Sequence, residues 1–388
     1  MDTPYFLINA DSIEENLKML RKVADETGCK ILLAQKCFSC YALYPLIAKY
    51  LDGATASGLY EARLCHEEMP NAENHIFSPA FKSSEMDEIV KICNFIVFNS
   101  PQQLALYGCR AKNAGLQIGL RINPECSTQQ GHAIYDPCAP GSRLGTTISL
   151  LEKYLATEEG QDCFKLVDGL HFHTLCEQNA DDLATTLNAV EEKFGYFLPQ
   201  MKWLNFGGGH HITRADYDID LLKQCISRTQ NKYGLQVYLE PGEAVALNAG
   251  ELHCTILEIQ PKSVDGIRNI IVDTSAACHM PDVIEMPYTP PLRDAMVHSY
   301  NHEPLQPPNR NIYRIGGGTC LSGDIIGTYS FNHELNVGEE LVFEDMAIYS
   351  MVKTNTFNGM PLPDIYIQKG TSATLWKHFG YNNFKERI

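Results

Sequence analysis

Eight times between Lys30 and Gly242, a short apolar run ends on polar or small residues and gives way to a segment long enough for a helix. The runs are KILLAQK, DGATAS, HIFSPA, FIVFNS, QIGLRIN, VDGLHFHTL, KWLNFGGG and QVYLEPG, beginning near Lys30, Asp52, His75, Asn94, Gln117, Val167, Lys202 and Gln236. Intervening stretches such as SLLEKYLATEEG and DIDLLKQCISRTQNKYG space their apolar residues as helices do. Eight strand–helix units predict a (β/α)8 TIM barrel over residues 9–244, in the α/β class.

Beyond Gly242 the texture changes. ELHCTILEIQP, RNIIVDTSA, NIYRIGG and GEELVFEDMAIYSMV are strand-like runs separated by Pro, Gly and Asn rather than by helices, which predicts a C-terminal β domain over residues 245–388. The proline-rich stretch 286–311 lies between these strands and reads as a surface excursion. A chain of 388 residues has room for both domains.

Charge and cysteine usage exclude several function classes. With 31 Lys and Arg against 47 Asp and Glu, the net charge of −16 repels the phosphates of nucleic acid and anionic membrane surfaces, so neither is an expected partner. No apolar stretch approaches the roughly 20 residues that cross a bilayer. The 14 cysteines lack paired CxxC knuckles, which argues against a metal site. MDTPYFLINADSIEENL shows no basic region followed by an apolar run and a cleavage site, so a cytoplasmic location with reduced thiols is expected.

In such a barrel the working residues sit at the carboxyl ends of strands. Lys36 follows ILLAQ, and a lysine there either snorkels to solvent or is held in the barrel mouth with a lowered pKa, as attack on an aldehyde requires. His171 and His173 alternate in HFHTL and share a strand face, where one could stack on a flat ligand or simply fill the core. Gly207, Gly208 and Gly209 permit close backbone approach to a phosphate, particularly if a helix begins just beyond, or else form a tight turn. Glu240 precedes the Pro241-Gly242 turn, placed to protonate a pyridine nitrogen or merely to flank a turn. In GGGTCLSGD, Cys320 and Asp324 follow a Gly-rich turn of the β domain.

Lys36, HFHTL, GGG, EPG and GTCLSGD stand in the order and spacing of the fold-type III pyridoxal 5′-phosphate (PLP) decarboxylases, the alanine racemase-like group with ornithine, arginine and diaminopimelate decarboxylases. The resemblance runs from PYFLIN, similar to an N-terminal strand (residues 1–8) that joins the β domain, to FNGMPLPDI. It implies PLP on Lys36 as a Schiff base, His173 stacked on the cofactor ring, and Gly208, Gly209 and Gly242 at the cofactor. It further implies Glu240 at the pyridine nitrogen, Tyr349 on the phosphate, and Cys320 supplied across a homodimer interface to a shared catalytic site. AQKCF, TASGLYEARL, SRLG, EPGEA, CHMPDVIEMPY and GGTCLSGD look most like the branch acting on carboxylated polyamines.

Cys176 stands where ornithine decarboxylase-like members have a serine near the phosphate, and Ala54 where they have an acid before their CAS motif. Diaminopimelate decarboxylases carry an arginine after EPG that grips a distal carboxylate, and here Glu243 takes that place. Reversing the charge at a substrate-facing position selects a cationic group over an anionic one, so the expected substrate is a carboxylated polyamine, with Asp282 and Asp324 as further carboxylates for its amines. The alternatives are a decarboxylase of diaminopimelate or another basic amino acid, and a non-catalytic PLP-binding homeostasis protein, which resembles the barrel alone.

Overall fold

The computed structural model describes residues 1–129, 136–298 and 311–388. Part of the proline-rich stretch 286–311 therefore lies outside the described residues. The chain divides into two compact units, Glu14–Val245 and Met1–Ile13 with Ala246–Ile388.

Strand β1 (Tyr5–Asn9) belongs to the second unit; all eight predicted runs form strands of the first. They are β2 (Lys30–Ala34), β3 (Gly53–Ala56), β4 (Glu73–Ser78), β5 (Phe95–Phe98), β6 (Gln117–Arg121), β7 (Gly169–His171), β8 (Trp203–Asn205) and β9 (Gln236–Leu239). Each pairs in parallel with the next, and Lys30 opposite Tyr238 closes the barrel between β2 and β9. Parallel strands covered by helices are buried on both faces, which is why FIVF of β5 is apolar throughout and wholly buried.

The barrel is filled rather than open. Leu32, Phe95, Val97, Trp203 and Tyr238 form one buried cluster, with Phe77 packed against it. Trp203 fits because two neighbouring strands lack side chains beside it. A Cβ at Gly119 would lie 2.4 Å from its Cη2, and one at Gly169 2.0 Å from its Cδ2. Side chains alternate along a strand, so residues two positions beyond this aromatic plug face the same lumen one layer higher.

Among the described residues, the second unit carries a nine-stranded sheet. It comprises β1, β10 (Gly250–Lys262), β11 (Arg268–Val272), β12 (Ala295–His298), β13 (Asn311–Gly316), β14 (Ile325–Phe331), β15 (Glu340–Glu344), β16 (Asp364–Lys369) and β17 (Ser372–Lys377). The path runs β12-β14-β13-β11-β10-β1-β16-β17, with β15 also on β10. The N-terminal strand does join the C-terminal sheet: β1 lies antiparallel to β10 and parallel to β16. Tyr5 fixes it there, its ring stacked 4.4 Å from His253 and its hydroxyl 3.0 Å from His253 Nδ1.

Two expectations need correction here. The strand-and-loop reading of this unit omitted the short helices Ala276–His279 and Asp282–Glu285, which fall in and just before CHMPDVIEMPY. The surface excursion contains β12, which pairs with β14 and has Met296 and Val297 exposed. An edge strand half open to water lacks the apolar pattern by which buried strands are recognised. Among the described residues no helix is long and apolar enough to cross a membrane.

Candidate active site

One layer above the aromatic plug, the strands of the barrel end in charge. Alternation from Gly119, Gly169, Trp203 and Tyr238 places Arg121, His171, Asn205 and Glu240 on the lumen side. Most of these groups answer one another directly.

Glu240, buried just beyond β9, accepts from Asn205 Nδ2 at 2.8 Å and from His171 Nε2 at 3.3 Å. Burial alone would raise its carboxyl, but His171, by charge and hydrogen bond, then His75 and the Asn205 amide, hold it at about 2. Burial lowers His171 in turn, with Glu240 opposing that shift by charge and hydrogen bond. Arg121 stays cationic although burial brings it down to about 10; its guanidinium lies 4.6 Å over the Phe77 ring and donates to the His173 carbonyl at 3.2 Å.

Lys36 occupies the turn after β2. Its side chain is open to solvent at the barrel mouth while protein crowds its flanks, and burial is the main force lowering its pKa. Arg121 adds to that effect, and Glu240 and Glu243 oppose it without reversing it. The amine is thus solvent-exposed and still lowered in pKa, which makes its neutral form more accessible than that of an ordinary surface lysine. The Pro241-Gly242 turn packs beside it: a Cβ on Gly242 would sit 2.4 Å from Cys37 Cβ.

His173 has its pKa pushed well down, first by burial and then by Lys36. Its Nδ1 accepts the Gly208 N–H at 2.8 Å, so the neutral ring carries its proton on Nε2. Gly207 N–H goes to Asn205 Oδ1 at 2.8 Å. Two of the three glycine amides are thus engaged within the protein. No helix follows the triplet closely either, since the next begins at Ile219. The turn is a backbone cradle, not a helix N-terminus. Its glycines are required by packing as well, because Gly207 and Gly209 have φ of 71° and 81° and a Cβ on Gly209 would lie 2.1 Å from Leu175 O.

Glu243 is buried, with Oε2 2.6 Å from His211 Nε2. Burial would lower His211, but the hydrogen bond and charge of Glu243 raise it overall. Glu177, His211 and Glu243 each offer a ligand atom within 4.8 Å of the others. Of the departures, Ala54 is fully buried in β3, and Cys176 lies against the glycine turn, its amide N 2.9 Å from where a Cβ on Gly209 would stand.

The candidates of the second unit have other attachments. Asp324, read as a carboxylate open to a substrate amine, is instead buried and accepts from Ser275 Oγ at 2.9 Å, Thr319 Oγ1 at 2.6 Å, and the amides of Thr319 and Ala277 at 3.2 Å. It anchors its own loop. Asp282 pairs with Lys353, which also meets Glu285 at 2.9 Å. Tyr349 is half-buried with φ of 51°, its ring 5.8 Å from Lys353 Nζ. Cys320 is exposed.

Arg121, Asn205, His211 and Glu177 escaped the sequence reading. Period-two counting from the strand runs would have found Arg121 and Asn205; the others sit in loops, where no such period operates.

The barrel fits PLP. An amine with a lowered pKa suits the aldehyde, a buried acid with a lowered pKa suits the ring nitrogen, and a turn in which a Cβ would clash suits close approach of the phosphate. The comparisons agree. Residues 23–347 match the family described as pyridoxal-dependent decarboxylase, C-terminal sheet domain. The carboxynorspermidine/carboxyspermidine decarboxylase of Campylobacter jejuni is 38% identical over 392 residues, covering 100% of this chain and 98% of that protein. The carboxyaminopropylagmatine decarboxylase of Synechocystis sp. is 35% identical, covering 100% and 96%. The crystal structure of carboxynorspermidine decarboxylase complexed with norspermidine from C. jejuni aligns with a TM-score of 0.89 at 36% identity, over 100% of both chains.

Proposed function

The chain belongs to the pyridoxal-dependent decarboxylases, and from that premise we propose that it removes carbon dioxide from carboxynorspermidine and carboxyspermidine, yielding norspermidine and spermidine in polyamine biosynthesis. The observation that carries this reading is the end-to-end identity of 38% with an enzyme of that name. Glu243 supports it, because a buried acid favours an amine over a carboxylate.

When bound, PLP supplies an electron sink for the pair left behind as the carboxylate departs. The chain's residues do the rest. Lys36, its pKa lowered by burial, would hold the cofactor through its aldehyde and yield to the substrate amine. Glu240 would keep a proton on the ring nitrogen, and His173 would brace the ring face. Cys320 of the partner subunit delivers a proton to the carbon that lost carbon dioxide, and the homodimer works in the cytoplasm.

Carboxynorspermidine, carboxyspermidine, carboxyaminopropylagmatine and meso-diaminopimelate offered separately, with products read by mass spectrometry, test the substrate. Norspermidine and spermidine should form fastest. Preference for diaminopimelate would overturn the reading of Glu243, and preference for carboxyaminopropylagmatine would move the chain to the activity named for the Synechocystis relative. For the shared site, mixing inactive Lys36→Ala and Cys320→Ala proteins should partly restore turnover, and no recovery after verified subunit exchange would refute it.

A further inference from the structure

Asn205, the last residue of β8, is fully buried, and its amide touches both working parts of the barrel top. Oδ1 accepts the Gly207 N–H at 2.8 Å, and Nδ2 donates to Glu240 Oε1 at 2.8 Å. Chemistry fixes this orientation. A backbone N–H can only donate, so Gly207 must take the carbonyl end, which leaves the amino end for the carboxylate. The main chain repeats the link, with Glu240 N–H donating to Gly207 O at 2.8 Å. An aspartate here would still accept from Gly207 but would press a second carboxylate against Glu240.

We propose that Asn205 is the positioning residue that locks the glycine turn and Glu240 into one unit, so that the phosphate and ring-nitrogen ends of the cofactor are gripped at a set spacing with Glu240 ionised. The inference rests on the cofactor assignments above, and its test separates the two. Asn205 makes its side-chain hydrogen bonds to Glu240 and Gly207. It acts through Glu240 and the Gly207 amide.

The test exchanges donor and acceptor. N205D should weaken PLP binding about tenfold or more, because a charge-assisted hydrogen bond becomes a repulsion. In the double variant N205D/E240Q, the amide introduced at position 240 can donate to the carboxylate introduced at position 205, so PLP affinity should return to within about threefold of E240Q alone. Cofactor-free protein supplies a second readout. In N205D the two adjacent carboxyls resist ionisation, so melting temperature should fall relative to wild type as pH rises through the carboxylate range, and the double variant should lose that slope. A purely structural asparagine predicts additive losses of affinity and no pH-dependent difference, and that result overturns the proposal. If E240Q alone binds PLP as wild type does, the assignment of Glu240 to the cofactor falls instead, and the proposal with it.

Discussion

His210 in the barrel and His279 in the β unit are both buried and both held by burial at about 4, yet their surroundings differ. His279 is fully served: Nδ1 lies 2.8 Å from Thr274 Oγ1 and Nε2 2.9 Å from the Pro361 carbonyl. The His210 nitrogens lean toward the carbonyls of Phe206 and Gly207 without reaching hydrogen-bond geometry. The same contrast separates the candidate site groups of the two units. In the β unit Asp324 and Asp282 are matched by their own neighbours, whereas the barrel top gathers Lys36, Arg121, Glu240 and several imidazoles into a layer with reach left over. Polar groups satisfied from within stabilise a fold; groups left convergent and partly open do chemistry.

The sharpest way to break this contrast is at Lys36. Lys36→Ala should lower turnover at least about a thousandfold, read as carbon dioxide release, with the fold intact by circular dichroism. Trp203→Ala should have the largest effect on stability, about 3–5 kcal/mol in denaturant unfolding, because it leaves a cavity that neither Gly119 nor Gly169 can fill.

The β unit should declare itself through acid. His279 is neutral when folded, with its pKa near 4 against about 6.5 unfolded, so the unfolded state binds the extra proton between those values. Its contribution is present in full above about pH 6.5 and is lost as pH falls toward 4, up to about 3 kcal/mol. His279→Gln should flatten that part of the stability profile, and an unchanged slope would assign the acid sensitivity elsewhere. The smallest effect concerns selectivity. Glu243→Gln should raise KM for carboxynorspermidine about tenfold with a lesser change in kcat, since it removes one charge that favours an amine.

Much of the barrel could be read in advance because its rule is periodic. Each apolar run became a strand, and the residues at the run ends, Lys36, His173 and Glu240, came within electrostatic reach: Lys36 acts on His173 and Glu240 acts on Lys36. The β unit obeys no comparable rule. Nothing local in GGTCLSGD announces that Asp324 will meet Ser275, 49 positions away, or that Lys353 will reach Asp282 across 71. Glu243 lies between these cases: its position followed from the EPG turn, but its partner His211 depends on how two loops approach.

The central claim is that Lys36 is the amine that carries the cofactor. Reducing the PLP-loaded protein with borohydride, digesting it and sequencing the labelled peptide by mass spectrometry tests this directly. The expected result is a pyridoxyl adduct on the Lys36 peptide and none on Lys36→Ala. A stable adduct on any other lysine, with Lys36 unmodified, would contradict it.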